Sequence, residues 1–119
     1  MSAILFADMV GYTALMQSDE KIAVDRLKQF RQNLETMVPI NRGEIMNFYG
    51  DGCMVIFRSS VDAAACAAAL QIRYQEQEVP VRIGLHSGEI LVDSGNVYGD
   101  AVNIASRIES MGVPGSVLM

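Results

Sequence analysis

The chain has 119 residues, 50% of them hydrophobic and 19% charged, which is the size and composition of one compact domain with a real core. Its net charge of -5 argues against a nucleic-acid backbone or an anionic membrane surface as partner, and an anionic small molecule would need cations to enter. No run approaches the ~18–20 apolar residues of a membrane span, and no basic, apolar, small-residue series marks an export signal, so a cytoplasmic setting is the expectation.

In chain order, "AILFADMV" is an apolar run closed by Asp8 and then Gly11, which predicts a first buried strand with the acid at its exit. From about Asp19 to Val38, Ala23, Leu27, Phe30, Leu34 and Met37 recur at steps of four and three, while Lys21, Arg26, Lys28 and Arg31 fall between them. This spacing predicts an amphipathic helix, ended by Pro39 and "NRG". "EIMNFYGDGCMVIF" is two strand-like runs around Asp51-Gly52, a dipeptide whose members both tolerate positive φ, and it predicts a β-hairpin. Ser59 or Ser60 then caps a second helix, with Val61, Ala65, Ala68 and Ile72 expected on its packed face.

"VPVRIGLHSGEILV" alternates like a strand pair or one bent strand. "GDAVNIASRIESMG" predicts a last helix with Ala101, Ile104, Ala105, Ile108 and Met111 on one face, and "PGSVLM" ends as a new strand begins. Because the hairpin makes part of the sheet antiparallel, the order predicts an α+β sandwich with a mixed, mostly antiparallel sheet and helices mainly on one face. Cys53 and Cys66 lie in a predicted strand and helix with no metal or redox spacing, and are expected to be buried thiols.

Asp51 in a hairpin turn is ordinary turn chemistry, and Asp8 leaving a strand could simply cap the next helix. Taken as a pair they could converge at one sheet edge, where hard divalent cations take oxygen ligands and keep waters and substrate phosphates in their other positions. The Gly-containing turn after Asp8 opens on a possible helix start whose amides could hold phosphate oxygens. The GxxxxGK[ST] loop is absent, so a P-loop fold is excluded. Asn103 and Arg107, four apart, share a helix face opposite the apolar stripe, which is either a solvated face or an amide and a guanidinium set to orient a ribose and neutralise a phosphate.

The segments "FADMVGYT", "YGDGCMVIF", "RIGLHSGEI" and "YGDAVNIASRIES" together resemble the catalytic domain of class III nucleotidyl cyclases, the adenylate and guanylate cyclases. The resemblance implies a ferredoxin-like core and a single catalytic domain over residues 1–119 that lacks its C-terminal part. It also implies cyclisation of a nucleoside triphosphate with two Mg²⁺ or Mn²⁺ ions per site. Asp8, Asp51 and the backbone carbonyl of Met9 would be metal ligands, the amides of Val10, Gly11, Tyr12 and Thr13 would meet phosphates, and Asn103 and Arg107 would act across a head-to-tail homodimer. The purine-selecting positions, commonly a lysine and an acid in adenylate cyclases, are Asn47 and Asn96 here. A carboxamide both donates and accepts, so these side chains do not choose the base. ATP is favoured over GTP because the Glu and Cys pair of typical guanylate cyclases is missing. A non-catalytic nucleotide-binding or dimerisation module is the competing expectation, and no GG[DE]EF-like stretch suggests a diguanylate cyclase. His86 matches a structural position of the family's "GxHxG" strand.

Overall fold

A computed structural model of the chain describes residues 2–88, 91–93, 96–98, 115 and 117–118. The elements are β1 (Ser2–Met9), α1 (Tyr12–Ser18), α2 (Glu20–Ile40), β2 (Gly43–Tyr49), β3 (Gly52–Phe57), α3 (Ser60–Glu76), β4 (Val81–Gly88), β5 (Leu91–Asp93), β6 (Asn96–Tyr98) and β7 (Val117–Leu118). The main sheet runs β2-β3-β1-β4-β7. Its first four strands are mutually antiparallel and β7 adds in parallel to β4, while β5 and β6 form a separate antiparallel pair. With α2 joining β1 to β2 and α3 joining β3 to β4, this is the expected ferredoxin-like α+β sandwich.

β1 is the centre of the sheet because it can be buried on both faces. Ala3, Leu5, Ala7 and Met9 point toward the helices and join the main core, whereas Ile4 and Phe6 are also buried on the opposite face. Against the inward row lie Phe30, Leu34 and Val38 of α2 and Ala63, Cys66, Ala67, Leu70 and Tyr74 of α3. Each large side chain so buried contributes ~1.5–3 kcal/mol through the apolar area it removes from water. The Tyr74 ring stacks on Phe30 with centroids 5.8 Å apart, and its buried hydroxyl is satisfied by donating to the Phe30 carbonyl at 2.8 Å.

Three sequence expectations are corrected in detail. α3 packs through Ala63, Cys66, Leu70 and Tyr74, leaving Val61, Ala65, Ala68 and Ile72 exposed. Alanines lie on both sides of the helix, and the side carrying Cys66, Leu70 and Tyr74 is the one that packs, while Val61 and Ile72 face outward. The hairpin turn is Gly50-Asp51 rather than Asp51-Gly52: Tyr49 pairs with Gly52, and the positive φ of 57° falls on Gly50. Pro39 lies inside the last turn of α2, which runs on to Ile40. The separate β5–β6 hairpin was not anticipated, while the helix start expected after Asp8 is the short α1. The expected Ser59 cap is present, its side chain accepting from the amides of Val61 and Asp62; the Asp19 side chain also caps α2, accepting from Ile22. The predicted helix over residues 99–112 lies outside the described residues.

Both cysteines are buried and free. Burial raises their thiols from 9.0, to about 12 for Cys53 and about 11 for Cys66, although the nearby Arg31 charge works the other way on Cys53. The folded state therefore holds both thiols protonated where an unfolded chain would ionise. Their contribution to stability is complete below pH 9.0 and declines as pH rises toward 11 and 12. Both thiols are expected to resist a thiol-reactive dye at pH 8 in the native protein and to react at once in denaturant, which absorbance at the dye's product band would read.

Gly43, at the start of β2, has no room for a side chain: a Cβ would lie 2.5 Å from Cε1 of Phe57 and 2.9 Å from Cγ1 of Val38, both packed in the core. Gly43→Ala is expected to lower stability by ~1–3 kcal/mol, as overpacking does. A denaturant midpoint unchanged from the parent chain would contradict that packing.

Candidate functional site

The end of β1 is where the chain assembles its chemistry. Asp8 pairs with Gly52 of β3 on one side and Arg82 of β4 on the other, so a cross-strand row Tyr49–Gly52–Asp8–Arg82 crosses the sheet. Strand alternation sends Ala7 and Met9 into the helix-facing core and Asp8 to the opposite face. Immediately beyond, the Met9 amide donates to the Asp51 carbonyl at 2.9 Å, which fastens the hairpin turn to the end of β1. The structure thus brings the backbones of Asp8 and Asp51 together. The Met9 side chain is buried, so only its backbone is eligible as a ligand.

Arg82 was not singled out from the sequence, yet it is the principal charged neighbour of Asp8. Its Nε donates to Oδ1 and its Nη2 to Oδ2, each at 3.3 Å, with side chains 30% and 24% exposed for Arg82 and Asp8. The side-on fork matches guanidinium to carboxylate. The available signal was a lone cation in the alternating strand "VRIGL", on the side away from Val81 and Ile83.

The phosphate-facing amides are partly reassigned. The Val10 amide donates to the Pro80 carbonyl at 2.9 Å, so it is already committed. Gly11, with φ 74°, turns the chain into α1, which has no side-chain cap, and the amides of Tyr12 and Thr13 open that helix. Asn47 lies on the same open face as Asp8, one row away. It pairs with Met54, which pairs with Phe6, and it follows a bulge at Ile45/Asn47 that restores outward facing to Asn47 and Tyr49. The Tyr49 ring leans across Gly52, where a Cβ would meet its Cε2 at 2.7 Å, and approaches Phe6 at 6.3 Å between centroids. Asn96 begins β6, opposite Asp93. Asn103 and Arg107 lie outside the described residues. His86 sits opposite Ile4 in the sheet, two rows from Asp8.

The donor atoms expected from the sequence, the carboxylates of Asp8 and Asp51 and the Met9 carbonyl, are all oxygens, the ligand type of a hard divalent ion that retains water and substrate oxygens; the structure brings their backbones together. Among the described residues no group of three or more His, Cys, Asp or Glu side chains gathers to make a closed cage. No helix among the described residues is long and apolar enough to cross a membrane.

The sequence profile of the adenylate and guanylate cyclase catalytic domain matches residues 2–119. A protein of Rhizobium meliloti named "Putative adenylate cyclase 3" is 39% identical over 98% of this chain and 22% of its own length. The adenylate cyclase of Glutamicibacter nicotianae is 27% identical over 98% of this chain and 30% of its own. The chain thus spans under a third of the length of these relatives. Among solved structures, an adenylate/guanylate cyclase/hydrolase from Silicibacter pomeroyi superposes with a TM-score of 0.88 at 34% identity, covering 98% of this chain and 73% of that one. The guanylyl cyclase Cya2 superposes at 0.84 with 24% identity over 98% of this chain and 72% of that one, a likeness of fold.

Because Arg82 occupies the carboxylate that a cation would share, Arg82→Leu is expected to tighten Mn²⁺ binding about two- to fivefold in the absence of nucleotide, the scale of a partly exposed ion pair. Electron paramagnetic resonance of free Mn²⁺ would measure it, and weaker binding would contradict the competition.

Proposed function

The chain belongs to the family of adenylate and guanylate cyclase catalytic domains, and on that premise we propose that it converts ATP, in preference to GTP, to the 3′,5′-cyclic monophosphate and pyrophosphate. Domains of this family use divalent cations, take nucleoside triphosphates and work as dimers. The observation that carries the reading is the backbone juxtaposition at the end of β1: Asp8 in register with Gly52, and the next amide, Met9, bonded to Asp51.

In the proposed reaction the ribose 3′-hydroxyl loses its proton to solvent, and its oxygen forms a bond to the α-phosphorus as the bond to the bridging oxygen of pyrophosphate breaks. Asp8, Asp51 and the Met9 carbonyl would hold two ions, Mg²⁺ or Mn²⁺. When bound, these would acidify the attacking hydroxyl and offset charge on the phosphates. The chain's own residues supply positioning. Gly11, Tyr12 and Thr13 offer first-turn amides to phosphate oxygens, a short-range contribution that no capping side chain competes for. Asn103 would orient the ribose and Arg107 would neutralise phosphate charge from the second protomer of a head-to-tail homodimer. Asn47 is placed on the open sheet face where a purine edge could meet its carboxamide, and Asn96 would act with it. A cytoplasmic location and a role in intracellular signalling go with this reading.

The replacement of the usual lysine and acid by Asn47 and Asn96 favours a second reading, a non-catalytic module that binds nucleotide or associates without turnover. Incubation with ATP or GTP and Mg²⁺ or Mn²⁺, with cyclic product quantified, separates the two. The expected result is more product from ATP than from GTP, and a loss of about 10²- to 10³-fold in Asp8→Asn, the scale for removal of one electrostatic stabiliser. Mixing inactive Asp8→Asn with inactive Arg107→Ala should restore activity toward roughly a quarter of the parent's, because random pairing of subunits regenerates one intact site per mixed dimer. Nucleotide binding without any product in a verified dimer would select the module.

A further inference from the structure

Arg31 is a cation of α2 that the cyclase reading does not use. Its Nη2 donates to the carbonyl of Gly50 at 3.1 Å, and its guanidinium carbon lies 5.1 Å from the centre of the Phe48 ring. Its Nε is buried without a hydrogen-bond partner among the described residues, so the group is turned to serve the turn and the ring at the expense of that donor. Gly50 is the residue immediately before Asp51. It adopts a positive φ of 57°, and a Cβ placed there would meet nothing within 4 Å among the described residues.

We propose that Arg31 is a positioning residue for Asp51: by gripping the Gly50 carbonyl and lying on Phe48, it fixes the turn from the helix side while the Met9 amide fixes it from β1. Asp51 is thereby anchored on both flanks, its own carbonyl by β1 and the preceding one by α2. A turn so held presents one carboxylate geometry, and a ligand set that is preorganised loses less freedom when a cation arrives. Arginine suits the task better than lysine because one planar group can donate in its plane and lie over a ring with its face.

The inference rests on the metal reading of Asp8 and Asp51, so its test measures the turn and the metal separately. Arg31→Met keeps much of the stem and removes the donor and charge. Arg31→Lys keeps the charge and a donor, and Phe48→Leu removes the ring while leaving Arg31. The 119-residue chain would be followed by amide hydrogen exchange over residues 48–53, by Mn²⁺ binding without nucleotide, and by thermal unfolding.

Arg31→Met is expected to speed exchange in the turn and to weaken Mn²⁺ binding about tenfold, the lower end for loss of a charge-assisted bond. Arg31→Lys should lie between it and the parent. Phe48→Leu should shift both readouts the same way by a smaller factor, which keeps the proposal testable if Arg31→Met does not fold. Unchanged exchange in the turn would overturn the proposal. So would faster exchange with unchanged Mn²⁺ affinity, which would leave Arg31 a purely structural tether, or equal losses in the Lys and Met variants. If the parent chain binds Mn²⁺ no better than Asp8→Asn, the metal reading itself fails and takes this role with it. That outcome is told apart by the parent control alone.

Discussion

The site depends on the register of β1, which pairs Asp8 with Gly52 on one edge and Arg82 on the other. Side chains alternate along a strand, so a slip of one residue would carry Asp8 to the helix-facing side among Leu70, Tyr74 and Phe30, and turn Ala7 and Met9 outward. A carboxylate in that layer would have no cation beside it, and the desolvation cost of an unpaired charge runs to several kcal/mol. The inward row Ala3, Leu5, Ala7 and Met9 and the outward pair Ile4 and Phe6 therefore act as a ruler, and Asp8 is placed by the apolar residues before it. Gly52 completes the row by having no side chain, because the Tyr49 ring lies where a Cβ would be.

Two segments bracket the end of β1: the Gly50-Asp51 turn and the connection from α3 to β4. The backbone of β1 reaches both, Met9 to the Asp51 carbonyl and Val10 to the Pro80 carbonyl. α2 reaches both again from the helix layer. Arg31 bonds the Gly50 carbonyl, and Arg26, five residues earlier, donates to the carbonyls of Gln77 and Glu78. Glu78 has a positive φ of 58°, an uncommon conformation for a side chain of its kind and one that the contact with Arg26 helps to hold. Between helices, Asn33 donates to Gln77 and accepts from Arg73, which satisfies a buried carboxamide and joins α2 to the end of α3. The helix layer is thus more than a cover for the sheet, since its polar contacts end at the two loops that flank the charged row.

What could be read in advance follows from which signals are local. The central strand, the long helix α2, the hairpin and the Ser59 cap were legible because periodicity, turn chemistry and capping act over a few residues. The buried face of α3 was not, because alanines lie on both sides, with Val61 and Ile72 on one and Leu70 and Tyr74 on the other, and the choice is made by the sheet that receives them. The turn was misplaced by one residue because Gly-Asp-Gly offers two glycines and the choice depends on register with the partner strand. Asp8 and Asp51 were found as a pair because each follows or joins a strand-like run. Arg82 was missed because its meaning comes from a partner 74 residues away in sequence. The Val10 amide was misassigned for the same reason, since the Pro80 carbonyl that engages it belongs to a distant loop.

Charge explains why such a site is left open on one side. The chain carries a net charge of -5, and the row at the end of β1 adds Asp8 and Asp51 where an anionic triphosphate would approach. In the structure, Arg82 offsets Asp8 through a forked bond at a partly buried edge. On the proposed reading, two divalent ions would bring about four positive charges, enough to take over the carboxylates and leave the guanidinium for another anion. Metal, nucleotide and Arg82 then form one coupled equilibrium: a cation at Asp8 displaces Arg82, and a phosphate near Arg82 favours that displacement. By linkage each must strengthen the other's binding to the same degree, so the ion pair would discourage metal occupancy until nucleotide is present.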